Sequence, residues 1–87
     1  MSEPISPSDI ANYNAVKEPV DIVQVVNNLV AKKFKNGQAI VYTKRIGKQF
    51  GKFDWVNIVN AYRQTGWIVT FVQPFNFDSY FIFTEKG

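Results

Sequence analysis

The side chains of this sequence that are best suited to binding chemistry are basic. Ten lysine and arginine residues against seven acidic residues give the 87-residue chain a net charge of +3. The charge is uneven, because residues 32–63 carry eight basic side chains and one acidic side chain, and no acidic residue lies between Lys32 and Lys52. Such a block indicates either a solvated surface or a contact surface for an anionic partner.

Catalytic chemistry has little support in the sequence. Histidine and cysteine are both absent, which excludes disulfide scaffolds, zinc fingers, thiol nucleophiles and histidine-activated serine. Asp54 and Asp78 are typical of a helix cap and a turn, and no glycine-rich phosphate loop or metal-ligand cluster is present. We therefore expect a protein that is not an enzyme and that binds no cofactor and no metal.

The length and the composition predict a flexible or extended N-terminal arm at residues 1–19 and a single domain at residues 20–87. The arm contains three of the four prolines and no sustained hydrophobic period, although its apolar residues could dock on the body or on a partner. No apolar run approaches the roughly 18 residues of a membrane span, and the N-terminus has no signal-like pattern. We therefore expect a soluble, cytoplasmic protein with no membrane partner.

The first half of the domain is expected to form a helix, a strand and a second helix. Asp21 is suited to cap a helix with a broad apolar stripe, and Asn36-Gly37 is a typical stop. Gln38 to Tyr42 predicts a short strand. Thr43 is suited to cap a short helix from Lys44 to Phe50, and could face a phosphate there.

The second half is expected to form a longer helix and a β-hairpin. Residues 67–73 and 79–84 are rich in aromatic and β-branched residues, and residues 74–78 between them predict the turn. Both faces of the first hairpin strand are apolar. We therefore expect one of these faces to be covered either by the N-terminal arm or by another subunit. The longer helix follows Asp54 and ends at Gly66, with a buried stripe of Trp55, Ile58, Val59 and Tyr62 helped by Val56 and Ala61.

This order, helix–strand–helix–helix–β-hairpin, resembles a winged helix-turn-helix domain over about residues 21–86. The stretch from Thr43 to Val69 carries the likeness, with a capped helix, a turn containing Gly51, a second helix ending in Gly66, and an entry into the β wing. The resemblance implies a small α+β, winged-helix-like domain that binds DNA.

A second and looser resemblance concerns the C-terminal segment. Gly66-Trp67, Pro74 and Phe81-Ile82-Phe83 are similar to the corresponding part of small, mostly uncharacterised bacteriophage proteins. This likeness implies an origin and carries no activity with it.

The winged-helix resemblance implies which polar side chains would meet nucleic acid. Phosphate contacts in a helix-turn-helix complex flank the second helix, and the residues at these positions are Lys44, Arg45, Lys48 and Lys52. The outward face of the second helix presents groups that can pair with adenine or guanine edges, namely Asn57, Asn60, Arg63 and Gln64. For both sets, an ordinary solvated surface is the alternative interpretation.

The leading hypothesis is a non-enzymatic nucleic-acid-binding protein, with DNA favoured, that regulates transcription in a phage by occlusion or recruitment. It is expected to form a homodimer if it reads a palindrome, through the hairpin or the arm. The alternative is a protein-binding module, such as a phage inhibitor of a host protein or an assembly component. Phe75 and Phe77 at the hairpin turn would then anchor the protein partner, or would offer a stacking surface to unpaired bases.

Overall fold

The computed structural model describes residues 3–50 and 55–86, including their side chains except those of residues 47–50 and 55. This part of the chain has an α+β fold with three α-helices, one 3-10 helix and a three-stranded antiparallel sheet. In chain order the elements are a 3-10 helix Pro7–Asn12, α1 Ile22–Lys33, β1 Gln38–Tyr42, α2 Thr43–Phe50, α3 Trp55–Thr65, β2 Trp67–Val72 and β3 Tyr80–Glu85. The expected order of elements in the domain is confirmed.

The first α-helix begins at the residue that the sequence identifies and ends earlier than predicted. The Asp21 side chain accepts a hydrogen bond from the backbone N–H of Gln24 at 2.9 Å, so the predicted cap is confirmed. The helix ends at Lys33, because Phe34 is already extended. Asn36 and Gly37, with positive φ angles of 54° and 82°, instead form the turn that leads into β1.

The last strand, β3, lies at the centre of the sheet, whose order is β1-β3-β2. At one end of the sheet, Tyr80 of β3 is opposite Tyr42 of β1 and Val72 of β2. At the other end, Thr84 is opposite Gln38, and Trp67 of β2 is opposite the last residue of β3. We call these the turn end and the Trp67 end of the sheet.

The core lies between the inner face of the sheet and the helices α1 and α3. The rings of Tyr62 and Phe83 meet edge to face at 5.3 Å between centroids, and those of Trp67 and Phe83 at 6.1 Å. All three side chains are almost completely buried. Burial of these aromatic side chains supplies much of the apolar area on which so small a domain depends.

The N-terminal segment differs from the extended arm that the sequence predicts. Residues 7–12 form a 3-10 helix, and the side chains of Ile5 and Ile10 are buried in the core. The indole N–H of Trp67 donates to the carbonyl oxygen of Ile5 at 2.7 Å. The segment therefore packs on the side of the inner face of the sheet, because there Ile5 can be buried while its backbone is hydrogen-bonded.

The outer face of the sheet is more exposed than the inner face. Ile40 of β1 and Ile68 of β2 are 38% and 49% exposed, and Tyr42 is 43% exposed. The hairpin thus has two apolar faces that differ in accessibility. The N-terminal segment packs on the side of the inner face, and Ile68 on the outer face remains accessible. No helix within residues 3–50 and 55–86 is both long enough and apolar enough to cross a bilayer.

The exposed position of Val56 corrects one part of the predicted stripe on α3. Tyr62 is buried and Ile58 is half-buried, as expected, but the Val56 side chain is 67% exposed. The helical period places Val56 in line with Asn60 and Arg63 rather than with Tyr62. Its methyl groups therefore lie beside the hairpin instead of inside the core.

Candidate nucleic-acid interface

The first turn of α2 is fixed to the start of β3. The Thr43 backbone N–H donates to the carbonyl oxygen of Ser79 at 3.1 Å, and the two side-chain hydroxyl groups are 2.7 Å apart. Thr43 is thus the first residue of α2, and its hydroxyl group contacts Ser79 instead of capping the helix from outside. This contact holds the first turn of α2 against the turn end of the sheet.

Lys44 and Arg45 are both exposed on this first turn. The Lys44 Nζ atom lies 3.0 Å from the Asp78 Oδ2 atom, in an ion pair whose side chains are 68% and 55% exposed. A pair with this much solvent contact is weak, so a phosphate group can replace Asp78 as the partner of Lys44.

Of the four residues predicted to contact phosphate, the side chains of Lys44 and Arg45 are described and those of the other two are not. Lys48 belongs to α2, but its side chain is not among those described, and Lys52 lies outside the described residues, as does the predicted cap Asp54.

The predicted groove-facing residues of α3 divide into two groups. Asn57, Asn60 and Gln64 are exposed, and their spacing places them along one side of the helix. Arg63 behaves differently, because its Nη2 atom donates to the backbone carbonyl of Val69 at 2.9 Å. Since β2 is an edge strand, carbonyl groups on its free side need donors from outside the sheet. Arg63 supplies one, and as an exposed residue its role towards the groove stays a prediction.

A small apolar cavity of about 240 Å³ lies between α3 and the hairpin. Phe81, which is buried, and Phe71, which is 49% exposed, form its hairpin side. Its α3 side consists of Val56, Val59, Asn60 and Arg63. The sequence gives no direct signal for this cavity, because it depends on how far α3 stands from β2.

A second and larger cavity of about 530 Å³ lies at the turn end of the sheet. The rings of Tyr42 and Tyr80 form part of its wall, with centroids 5.3 Å apart and planes inclined at 56°. The remaining lining residues are Lys44, Arg45, Pro74, Phe77 and Asp78. Sequence reasoning missed Tyr42 and Tyr80 as a pair, because they become neighbours only through the register between β1 and β3.

The hairpin turn carries the two most exposed large apolar side chains among the described residues. Phe75 is 87% exposed and Phe77 is 78% exposed, and Asn76 between them has a φ angle of 65°. The rings thus do not fold back onto the hairpin. They leave an aromatic surface beside the larger cavity.

Comparison with protein-family models, with curated proteins and with solved structures finds no match for this chain. The resemblances to winged-helix domains and to bacteriophage proteins therefore have no support from a known relative. Within the described ranges, no three histidine, cysteine, aspartate or glutamate residues cluster closely enough to hold a metal ion.

Proposed function

We propose that this chain is a small nucleic-acid-binding protein of the winged-helix type, which binds duplex DNA and carries out no catalysis on it. The observation that carries the proposal is the exposure of Lys44 and Arg45 on the first turn of α2, within a stretch of 21 residues that has no acidic side chain. The two cationic side chains are suited to the phosphate backbone. The one acidic group beside them, Asp78 of the hairpin turn, forms an exposed ion pair with Lys44 that a phosphate group can replace.

The topology supports this proposal. A winged helix-turn-helix unit needs two consecutive helices followed by a β-hairpin, with a further strand that completes the sheet. The order α1-β1-α2-α3-β2-β3 and the sheet order β1-β3-β2 are compatible with that arrangement. In this interpretation, α3 is the helix that enters the major groove.

The exposed amide groups of α3 are suited to the groove. Asn57 and Asn60 lie on neighbouring turns of the same side of the helix, and a side-chain amide can form two hydrogen bonds with the edge of adenine. Gln64 extends this side by one further turn. Arg63 is assigned to hold α3 against β2, rather than to read a base.

A dimer is part of the proposal if the DNA site is a palindrome. The exposed outer face of the sheet, with Ile40 and Ile68, is then the natural interface, because it is apolar and accessible. Two copies joined in this way would act as a regulator by occupying DNA.

Fluorescence anisotropy with a generic labelled duplex tests the proposal. Between about 50 and about 200 mM salt we expect the affinity of the wild-type chain to fall steeply, because released counterions accompany each phosphate contact. The double variant Lys44→Ala with Arg45→Ala should bind less tightly and should flatten the salt slope by about 1.8.

The matched control is the double variant Lys17→Ala with Lys86→Ala, which removes the same charge from exposed sites outside α2. We expect this control to retain most of the affinity and of the salt slope. Equal losses in the two double variants would contradict the assignment of phosphate contacts to Lys44 and Arg45. Absence of binding at low salt would contradict the proposed function altogether.

A protein-binding module is the second candidate function. The observation that favours it is the exposure of Phe75 and Phe77, because a monomer rarely presents two adjacent aromatic rings to water without use. Under this alternative, Phe75→Ala with Phe77→Ala abolishes capture of a protein partner, while the Lys44 and Arg45 variant still captures it. Retained capture by the phenylalanine variant would count against this function.

A further inference from the structure

We propose that the cavity of about 530 Å³ at the turn end of the sheet binds one unpaired nucleotide, with its base stacked on Tyr42 and its phosphate beside Lys44 and Arg45. The inference goes beyond the proposed duplex interface, because a base inside a duplex is already stacked and cannot lie on a protein ring. It places a second nucleic-acid contact on the sheet and the hairpin, separate from the outward face of α3.

The aromatic wall of the cavity is suited to a planar base. Tyr42 is 43% exposed and packs against the ring of Tyr80 at 5.3 Å between centroids, so Tyr80 supports the ring of its cross-strand neighbour. Phe77, which is 78% exposed, belongs to the same cavity and offers a further ring from the hairpin turn. Stacking on such rings is tolerant of base identity, since every base has a π face.

The charged wall is suited to a phosphate group. Lys44 and Arg45 contribute two positive charges, and Asp78 contributes one negative charge that faces Lys44 at 3.0 Å. A phosphate that enters the cavity therefore competes with Asp78 for Lys44, while Arg45 has no acidic side chain within salt-bridge distance among the described residues. Asp78 thus acts as an internal competitor that limits the affinity for an anion.

The combination of rings and cations favours a nucleotide over other ligands. An apolar ligand would leave the basic side chains without use, and an inorganic anion would not use the rings. The cavity volume also falls within the range of about 300 to 1,000 Å³ that is typical of small-ligand sites. A free nucleotide and a nucleotide within a strand share this chemistry, and we assign the cavity to a nucleotide within a strand.

Anisotropy with a fluorescein-labelled oligothymidylate of about 15 nucleotides tests the inference, with a duplex of equal length measured in parallel. Tyr42→Leu should weaken binding of the single strand by about tenfold or more, because it removes the ring and retains an apolar side chain. Tyr42→Phe is the matched control and should bind within about twofold of the wild type, because it keeps the ring. Neither variant should change the affinity for the duplex.

Two further variants keep the test decisive if Tyr42→Leu fails to fold. Phe77→Ala, in the exposed turn, should also weaken single-strand binding. Asp78→Asn should strengthen it severalfold, because Lys44 loses its competing partner. An unchanged affinity of both variants would overturn the inference, as would an equal loss in Tyr42→Phe and Tyr42→Leu.

The two substrates separate this inference from the proposed function. Binding of the single strand without the duplex supports the cavity and contradicts the proposed function. Binding of the duplex alone overturns the cavity, supports the proposed function, and leaves the exposed rings to a protein partner. Thymidine monophosphate is added as competitor: displacement of the strand at micromolar concentration would overturn the commitment to a strand, and displacement only near millimolar concentration would support it.

Discussion

The two ends of the sheet differ in how deeply their polar side chains are buried. At the Trp67 end, the N-terminal segment packs against α1, and the asparagine side chains that it contacts are buried or half-buried and are hydrogen-bonded. At the turn end, several polar and aromatic side chains are exposed, and the Lys44–Asp78 ion pair joins two solvated side chains. The difference indicates that the first region maintains the fold and that the second region is available for binding.

Asn27 is the centre of the buried polar region. Its Oδ1 atom accepts from the Ile5 backbone N–H at 2.9 Å and from the Tyr62 hydroxyl at 2.6 Å, and its Nδ2 atom donates to the Glu3 carbonyl at 3.0 Å. The residue is only 5% exposed. One amide thus joins the N-terminal segment, α1 and α3, and it leaves few of its hydrogen-bonding groups without a partner.

The largest expected effect is that of Asn27→Ala on stability. The variant leaves the Ile5 N–H and the Glu3 carbonyl without their partner, and it reduces the acceptors of the Tyr62 hydroxyl to the Val23 carbonyl at 3.2 Å. We therefore expect the free energy of unfolding to fall by about 3 kcal/mol. Urea denaturation measures it. The matched control is Asn28→Ala, which loses three hydrogen bonds at a half-buried site that water can reach, and should cost about 1 kcal/mol.

Equal losses in the free energy of unfolding for the two asparagine variants would contradict the proposed difference between the two regions, because the loss would then be independent of burial. A cost below about 1 kcal/mol for Asn27→Ala would have the same consequence, since a buried donor left without a partner costs at least that much.

The next largest effect concerns Tyr62→Phe and the alkaline limit of stability. Burial, followed by the nearby Tyr13 and Asp21, raises the pKa of Tyr62 above its ordinary value of 10.0. Above about pH 10, Tyr62 loses its hydroxyl proton in the unfolded chain and keeps it in the folded chain. The free energy of unfolding therefore falls by about 1.4 kcal/mol per pH unit because of this group. Below pH 10 this contribution is fully retained.

Tyr62→Phe should therefore lower the free energy of unfolding by about 1.5 kcal/mol at neutral pH and should lose part of the decline above pH 10. Urea denaturation of both chains at several pH values between 7 and 11 gives the two slopes. If the free energy of unfolding fell with pH at the same rate in both chains above pH 10, burial would not raise the pKa of Tyr62, which would contradict this expectation.

The smallest expected effect on stability is that of Phe75→Ala with Phe77→Ala. Because both rings are almost fully exposed, their removal should change the free energy of unfolding by no more than about 0.5 kcal/mol. Thermal denaturation followed by circular dichroism measures it. A loss near 2 kcal/mol would assign the rings to the fold and would remove the distinction between a structural end and a binding end.

Local features of the fold could be predicted from the sequence. The Asp21 cap joins two residues only three positions apart, and Gly66 follows α3 with a φ angle of 117° that glycine adopts without strain. The bounds of β1 and of α3 follow in the same way from residues within one or two turns of each other. These predictions succeed because the interactions that decide them join residues that are close to each other in the sequence.

Features that depend on packing could not be predicted. Arg63 is exposed, as its place beside Asn60 on α3 predicts, but its hydrogen bond to the Val69 carbonyl depends on how α3 packs beside the free edge of β2. In the sequence, Asn27 has the position of a polar surface residue on an amphipathic helix. It is buried because the N-terminal segment packs on it and hydrogen-bonds to it. The contact between Tyr42 and Tyr80 likewise requires the strand register, which brings together residues 38 positions apart.

The most direct test of the account is a titration of the ¹⁵N-labelled chain with a short DNA duplex at low salt, followed by the backbone amide signals. We expect shifts on the first turn of α2, at Lys44 and Arg45, and along the exposed side of α3 at Asn57, Asn60 and Gln64. The amides of Ile5 and Asn27 should remain in place. Shifts confined to the N-terminal segment and α1, or no shifts at all, would contradict the assignment of binding to α2 and α3.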